Sequence, residues 1–405
     1  MYLMDITKIK DSKIFLPKEN LDNETKELIE KMTESPVLNN IRIMPDCHSS
    51  SYCCVGMTSI IKDKVIPQIV GGDIGCGIVC YNLNKIIKEK HYKKIDEYIK
   101  NNIPMGDKSH KKPVIEKSYM DKIYEECNKK LENLKERFPD YDYDYKKISF
   151  DDNYYKKLIK KLNVKTGSKN FLNSLGTLGG GNHYIEFNKD DNDNCYLSIH
   201  SGSRYMGQAI CNYHQDKIRN KESYDKKNFL NNYLEGDEMI DYLIDMIFAQ
   251  EFASHNRYIM IQIILNELGI EFNKEDLIET IHNYIDFNKL ILRKGAISAD
   301  KDKLCIISLN MRDGILICEG KGNEDWNYSS AHGCGRLMNR HDSRNIFNLK
   351  EYEKCMEEVY SSCINKDTLD EIPLAYKDVN FIKKLIGDSV IIKKQLKPII
   401  NIKGY

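Results

Sequence analysis

The segment Val70-Gly-Gly-Asp-Ile-Gly-Cys-Gly77 constrains this chain more than any other, because four glycines frame a carboxylate, Asp73, and a thiol, Cys76, three residues apart. Glycine lets the backbone turn tightly enough to aim both side chains at one point. Such a pair suits a metal ion, and equally suits a structural turn, so the choice depends on what other donors the fold brings to it. The flanking sequence has the means to deliver side chains to a site. From Ile41 to Asn82 short β-prone runs, Val65 to Val70 and Ile78 to Tyr81, alternate with glycine-containing turns.

The 405 residues suffice for one large domain or two merged ones, and 41% hydrophobic with 30% charged residues is a globular balance. With 61 basic and 61 acidic side chains the formal net charge is zero, so no global field holds nucleic acid and any RNA site must be local. The cluster Lys156, Lys157, Lys160, Lys161 and Lys165 reads as a solvated helix face. Thirteen cysteines without framework spacing, and no signal-like stretch ahead of Asp5, point to a reducing compartment, the cytoplasm. No apolar run is long enough for a bilayer, which leaves a membrane role unsupported.

Residues 85–165 are rich in Lys, Glu and Tyr with apolar residues at helical spacing, among them Ile115, Met120, Ile123 and Tyr124, and read as a peripheral helical insertion. Short strands are expected at Tyr184 to Phe187 and Tyr196 to His200. A long helical pattern follows from Met239 to Leu268, closed by Gly269 as a C-terminal cap. Without low-complexity linkers or internal repeats, the chain reads as one merged domain, 1–405.

A second glycine-rich turn, Leu175-Gly-Thr-Leu-Gly-Gly-Gly-Asn-His-Tyr-Ile-Glu186, empties into a strand, so that Asn182, Tyr184 and Glu186 share a face while His183 points oppositely. It lacks the Gly-Lys-Ser/Thr of a Walker loop. His200 lies in Ser198-Ile-His-Ser-Gly-Ser-Arg204, beside hydroxyls and a cation suited to phosphate. His282 and His332 follow, the latter in Ala331-His-Gly-Cys-Gly-Arg336. Each histidine alone reads as an ordinary core or surface residue. Together, one thiolate, one carboxylate and three imidazoles suffice for two divalent ions sharing the sulfur, an arrangement that can clamp the oxygens of a phosphoryl transfer. His332 then remains free as a nucleophile.

The motifs Asp73-Ile-Gly-Cys-Gly77, Leu178-Gly-Gly-Gly-Asn-His-Tyr-Ile-Glu186, His200-Ser-Gly-Ser-Arg204, His282-Asn-Tyr284, Arg293-Lys-Gly-Ala296, His332-Gly-Cys-Gly-Arg336 and Ala375-Tyr-Lys-Asp378 occur in an order that resembles the RtcB family, from near residue 41 to the C-terminus. The resemblance implies an α+β fold, a single large domain with mixed β-sheets around the active site and flanking helices. It implies an RNA ligase that uses GTP and two manganese ions. Such an enzyme joins a 2′,3′-cyclic phosphate or 3′-phosphate end to a 5′-hydroxyl end through a histidine-GMP intermediate, in tRNA splicing or RNA repair. Residue by residue, Asp73, Cys76, His183, His200 and His282 resemble the manganese ligands, with Cys76 bridging, and His332 resembles the residue that carries GMP. Asn182, Tyr184, Glu186, Cys334, Gly335, Arg336, Tyr376 and Lys403 would hold the nucleotide. Arg204, Asp46 and His48 would lie on the RNA and phosphate side. RNA and GTP are the implied partners, with room for an activator protein. The ligand set itself suits zinc as well as manganese.

Several positions depart from the family pattern. Ser50 and Tyr52 stand where glycines are usual, and a tyrosine there would block or reshape an RNA path. Cys334 stands for alanine, Tyr205 for glycine, and Ser308-Leu-Asn-Met-Arg-Asp for a hydroxyl-rich turn. Two rival classes stay open at this point: a metal-dependent cyclic phosphodiesterase, which needs the ions but neither His332 nor Lys403, and a non-catalytic RNA-binding paralogue.

Overall fold

Alternation along four central strands builds a sheet with one apolar and one chemical face. In the computed structural model, which describes residues 11–139, 147–166 and 170–404, a seven-stranded antiparallel sheet runs in the spatial order Leu304–Ser308, Ile315–Gly320, Val390–Lys403, Tyr184–Lys189, Cys195–Ser201, Gly77–Asn82, Leu277–Ile281. Ile185 and Phe187, Leu197 and Ile199, and Ile400 and Ile402 point to one side. There they pack with Met260, Ile261, Ile264 and Leu265 of the Gly236–Leu268 helix. The intervening residues point to the other side, as a period of two requires. On that face Lys403 pairs with Tyr184 and Tyr184 with His200, and in the next row Asn401 pairs with Glu186 and Glu186 with Ser198. Functional residues far apart in the chain thereby become cross-strand neighbours.

A second, five-stranded sheet has the order Lys13–Ile14, Asn39–His48, Val55–Ile60, Ile291–Lys294, Asn283–Asp286, with its first pair parallel and the rest antiparallel. The chain passes from the first sheet to the second at His282, the residue between Leu277–Ile281 and Asn283–Asp286. The site lies where the sheets meet. The architecture is α+β, with sheets around the site and helices flanking them, as the family resemblance implies.

The long helix starts at Gly236 and ends at Leu268, with Gly269 in the left-handed conformation at φ 65°. It is buried on nearly all sides, so its apolar residues run round it rather than along one stripe. The Tyr119–Arg137 helix packs Met120, Ile123, Tyr124, Cys127, Leu131 and Leu134 into the same core. Ile115 lies just outside this helix, half-buried. Residues 140–146 of the expected insertion fall outside the described residues, as does the N-terminal stretch to Asp5.

One expected strand is corrected. Only Lys64–Val65 is extended, and Pro67–Val70 forms a helical turn, because Pro67 has no N–H for a ladder and its fixed φ suits a first helical position. Lys156, Lys157 and Lys160 are exposed as a solvated face would be. Lys161 instead turns inward and pairs with Asp241 and Asp245, and the Lys165 side chain falls outside what is described. Among the described residues no helix is long and apolar enough to cross a membrane, and the cysteines are free thiols.

Arg257, fully buried on the long helix, clamps the loop that carries the first site residues. Its guanidinium donates to the carbonyls of Gly75 (2.7 Å) and Ser201 (2.6 Å) and pairs with Glu279 at 2.6 Å. Breaking a buried pair leaves an uncompensated charge and costs about 3–5 kcal/mol. Arg257→Met is therefore expected to lower unfolding stability by about that amount, measured by urea denaturation of the full chain followed by circular dichroism.

Candidate active site

The chemical face of the first sheet and the edge of the second enclose a cavity of about 280 Å³. Its walls include Asp73, Cys76, Asn182, Tyr184, Glu186, His200 and His282, together with His48, His332, Cys334, Gly335, Arg336, Tyr376 and Lys403. Asp73 and Cys76 come from the glycine-framed turn before Gly77–Asn82. A side chain at Gly77 would run into the carbonyl of Thr280 on the neighbouring strand, so glycine is required for that close pairing. The same turn places the Cys76 carbonyl 2.8 Å from the His282 N–H.

Two groups of donors share one sulfur. Cys76 Sγ lies 3.3 Å from His200 Nε2, which lies 3.2 Å from His282 Nε2. On the other side Cys76 Sγ lies 3.4 Å from His183 Nε2, itself 3.0 Å from Asp73 Oδ2. The tautomer of His183 follows from its surroundings. Its Nδ1 faces the Leu178 carbonyl at 2.9 Å and must donate there, so in the neutral ring Nε2 is an acceptor facing a carboxylate and a sulfur. Burial, followed by the neighbouring imidazoles, pushes His200 and His282 well below the ordinary histidine range, so both rings are neutral and each can offer a lone pair to a cation. Burial would raise the Asp73 carboxyl, but its contacts with His183 and Cys76 outweigh burial and hold it well below the usual carboxylate range. Burial and the Asp73 charge push the Cys76 thiol well up, and a divalent cation reverses that logic by binding the thiolate. Lone pairs converging on two points are the arrangement that two cations satisfy. The residues present therefore fit the pair of ions the resemblance implies.

His183 departs from the expected opposite-facing direction relative to Asn182, Tyr184 and Glu186. It precedes the Tyr184–Lys189 strand, so the pleat does not dictate its direction, and it reaches the same centre.

Beside the donors stands His332, its ring centroid 4.9 Å from that of His282. It follows the short Ser329–Ala331 strand, and its carbonyl accepts from the Ser308 N–H at 2.9 Å. Asp46, expected on the RNA side, is instead fully buried behind this histidine. Its Oδ2 accepts from the N–H groups of His332 (3.0 Å) and Gly333 (3.1 Å) and lies 2.6 Å from His332 Nδ1, off the N–H axis. This carboxylate lies against the Nδ1 edge of the ring, and Nε2 is on the opposite edge. Gly335 is glycine because a side chain there would collide with the Asp46 carbonyl, and its φ is 70°. His48 lines the cavity and burial pushes it down to about 4, so it is neutral at physiological pH.

At the far wall Glu371 gathers four partners: Lys403 Nζ at 2.7 Å, Tyr376 Oη at 3.0 Å, and the guanidinium groups of Arg340 (2.6 Å) and Arg336 (3.4 Å). Burial works against its charge, yet Lys403 and then Arg340 bring it down to about 2. Glu186 receives the amides of Asn188 and Asn401 and is pushed up to about 7 by burial. Arg336 spends its donors on the Met338 and Asp370 carbonyls and Ser343 Oγ, so it braces the wall rather than facing outward. Arg204 is not among the lining residues and donates to Thr177 Oγ1 at 3.1 Å and to the Gly106 carbonyl. Tyr52 does not enter the cavity either. It packs against Phe229, ring centroids 4.7 Å apart, on the loop whose two ends, His48 and Val55, do line it. Cys334 lines the cavity as a neutral thiol, held up by burial.

Sequence reasoning missed Glu371, Arg340 and Asn401. Asn401 had a readable signal, since it lies two residues before Lys403 in a strand and so shares its face. Glu371 sits in a 3₁₀ turn, Lys366–Glu371, where no period announces it.

A family model described as tRNA-splicing ligase RtcB matches residues 28–404. The chain belongs to the RtcB family. Curated RtcB relatives are similar at the level of divergent members. The chain is 28% identical over 391 residues to the RNA-splicing ligase RtcB of Escherichia coli K12, covering 91% of both chains. It is 26% identical over 451 residues to the tRNA-splicing ligase RtcB of Methanococcus maripaludis, covering 95% of this chain and 92% of that one. The tRNA-splicing ligase RtcB of Nanoarchaeum equitans is 24% identical over 455 residues, with 93% and 94% covered.

Two measurements check this RtcB site. Because Cys76 belongs to both donor groups, Cys76→Ala is expected to abolish tight binding of both ions, whereas His282→Ala abolishes one. Metal content after dialysis against manganese distinguishes them, and full retention in Cys76→Ala contradicts the shared-sulfur arrangement. Glu371, with a folded pKa of about 2 against 4.5, contributes stability that is complete above the ordinary glutamate range and is lost as pH falls towards 2. Glu371→Gln is accordingly expected to cost about 3 kcal/mol at neutral pH and progressively less below about pH 4 in denaturant titrations.

Proposed function

We propose that this protein is an RNA ligase that joins an RNA 2′,3′-cyclic phosphate or 3′-phosphate end to a 5′-hydroxyl end, with GTP as co-substrate and two manganese ions as cofactors. The observation that carries the reading is the position of His332: a carboxylate-oriented imidazole, outside both donor groups, beside a cavity wall that ends in Lys403 and Glu371. A phosphodiesterase needs only the donor groups. A binding module needs neither them nor an oriented nucleophile. The printed names of the relatives, RNA-splicing and tRNA-splicing ligases, agree with the ligase class.

Bound at Asp73, Cys76, His183, His200 and His282, the ions would neutralise charge on the phosphate oxygens. The protein's own groups do the rest. His332 Nε2 attacks the α-phosphorus of GTP, forming a P–N bond as the bond to pyrophosphate breaks, while Asp46 stabilises the charge the ring acquires. Lys403, Tyr376, Glu186 and Asn182 line the nucleotide end of the cavity. The 3′-phosphate, produced by opening the cyclic phosphate with water, then takes GMP from His332, and the 5′-hydroxyl attacks that 3′-phosphate and expels GMP. The natural setting of this chemistry is tRNA splicing or the repair of cleaved RNA.

Incubation of the full chain with manganese and α-labelled GTP is expected to give an acid-labile protein adduct that His332→Ala abolishes. A metal-loaded wild-type protein that takes up no label would defeat the ligase reading, and opening of a cyclic phosphate without labelling would favour the esterase.

A further inference from the structure

Lys377 follows Tyr376 in the chain but does not line the cavity. Its side chain turns the other way and is buried, at 8% exposure. The ammonium donates to the carbonyls of Pro45 (3.1 Å) and Cys47 (2.7 Å), the two residues that flank Asp46. Its backbone N–H donates to the Gly335 carbonyl at 3.0 Å, in the turn that follows His332. One residue thus ties together both halves of the Asp46–His332 contact.

A buried ammonium carries a desolvation cost of several kcal/mol that structures usually offset with a directly bonded carboxylate. Here two carbonyls accept its protons instead, and the Asp46 carboxylate on the residue between them stays free to face His332. The charged and titratable groups around the ammonium are Asp22 from the helix side, and Asp46, Cys47 and His48 from the Asn39–His48 strand. A lysine fits this place better than an arginine because its donors form a compact point that two neighbouring carbonyls can share.

We propose that Lys377 is a positioning residue for His332: by holding the Pro45 and Cys47 carbonyls and the Gly335 turn together, it keeps the Asp46 carboxylate on Nδ1 and presents Nε2 to the cavity. The inference rests on the proposed role of His332 and concerns how that role is maintained.

Two readouts on the full-length protein, loaded with diamagnetic zinc for the first and with manganese for the second, test it, and they fail separately. The first needs no GTP. In protein labelled with ¹⁵N-histidine, with the His332 signals assigned by their loss in His332→Ala, the wild-type ring is expected as the Nδ1–H tautomer and Lys377→Met as a tautomer mixture. The second is single-turnover formation of the GMP adduct. Lys377→Met is expected to slow it roughly tenfold or more at saturating GTP with KM changed less than about threefold, and Lys377→Arg to recover part of the rate. Where the Met variant does not fold, Lys377→Gln takes its place with the same expectations. A wild-type tautomer and rate in the folded variant, or a loss confined to KM, overturns the proposal. Absence of any wild-type adduct sinks the ligase reading instead, and the tautomer then decides the role of Lys377.

Discussion

Lone pairs that face one another at Cys76 are the constraint around which the rest of the structure is arranged. A sulfur, three imidazole nitrogens and a carboxylate oxygen approach to within 3.0–3.4 Å of their neighbours, and the few protons among them leave lone pairs without a partner. Left to itself such a cluster repels, so the scaffold has to hold it. Arg257 does so from beneath, through the carbonyls of Gly75 and Ser201, and the Leu178 carbonyl does so by taking the proton of His183. The apolar face of the seven-stranded sheet, packed on the long helix, supplies the rigidity against which these polar contacts act.

The two ends of the cavity solve different electrostatic problems. Near Cys76 the groups are acceptors that await positive charge. Near Glu371 three cations surround one carboxylate, and Asp370 takes a further contact with Arg340. His332 sits at the junction, oriented by a carboxylate that the cavity never touches. The same residue type thus stands inside a donor group at 200 and 282 and outside both groups, against a buried carboxylate, at 332, and the difference comes from the neighbours.

Much of this was legible in the sequence, for identifiable reasons. Tyr184, Glu186 and His200 lie on strands whose alternation dictates their face, and Gly269 ends a helix as its conformational freedom predicts. Asp73, Cys76 and His183 sit in glycine-rich turns, which is what marks them in the sequence. What failed to show were relations rather than residues. The burial of Asp46 behind His332 depends on two segments almost 300 positions apart, and Glu371 sits in a turn without periodicity. Val65 to Val70 looked extended by composition, yet Pro67 redirected it into a helical turn. Tyr52, a departure from the family pattern, packs against Phe229, a partner distant in sequence that no local pattern announces.

His282 is the one residue between a strand of the first sheet and a strand of the second, and it faces His200, which belongs wholly to the first. Any sliding of one sheet past the other changes that separation. An ion held by both residues would act as a rivet across the seam, and the stiffness of the seam would in turn set how tightly the rivet is held. Affinity for that ion and alignment of the sheets are thus a single coupling free energy observed from two directions.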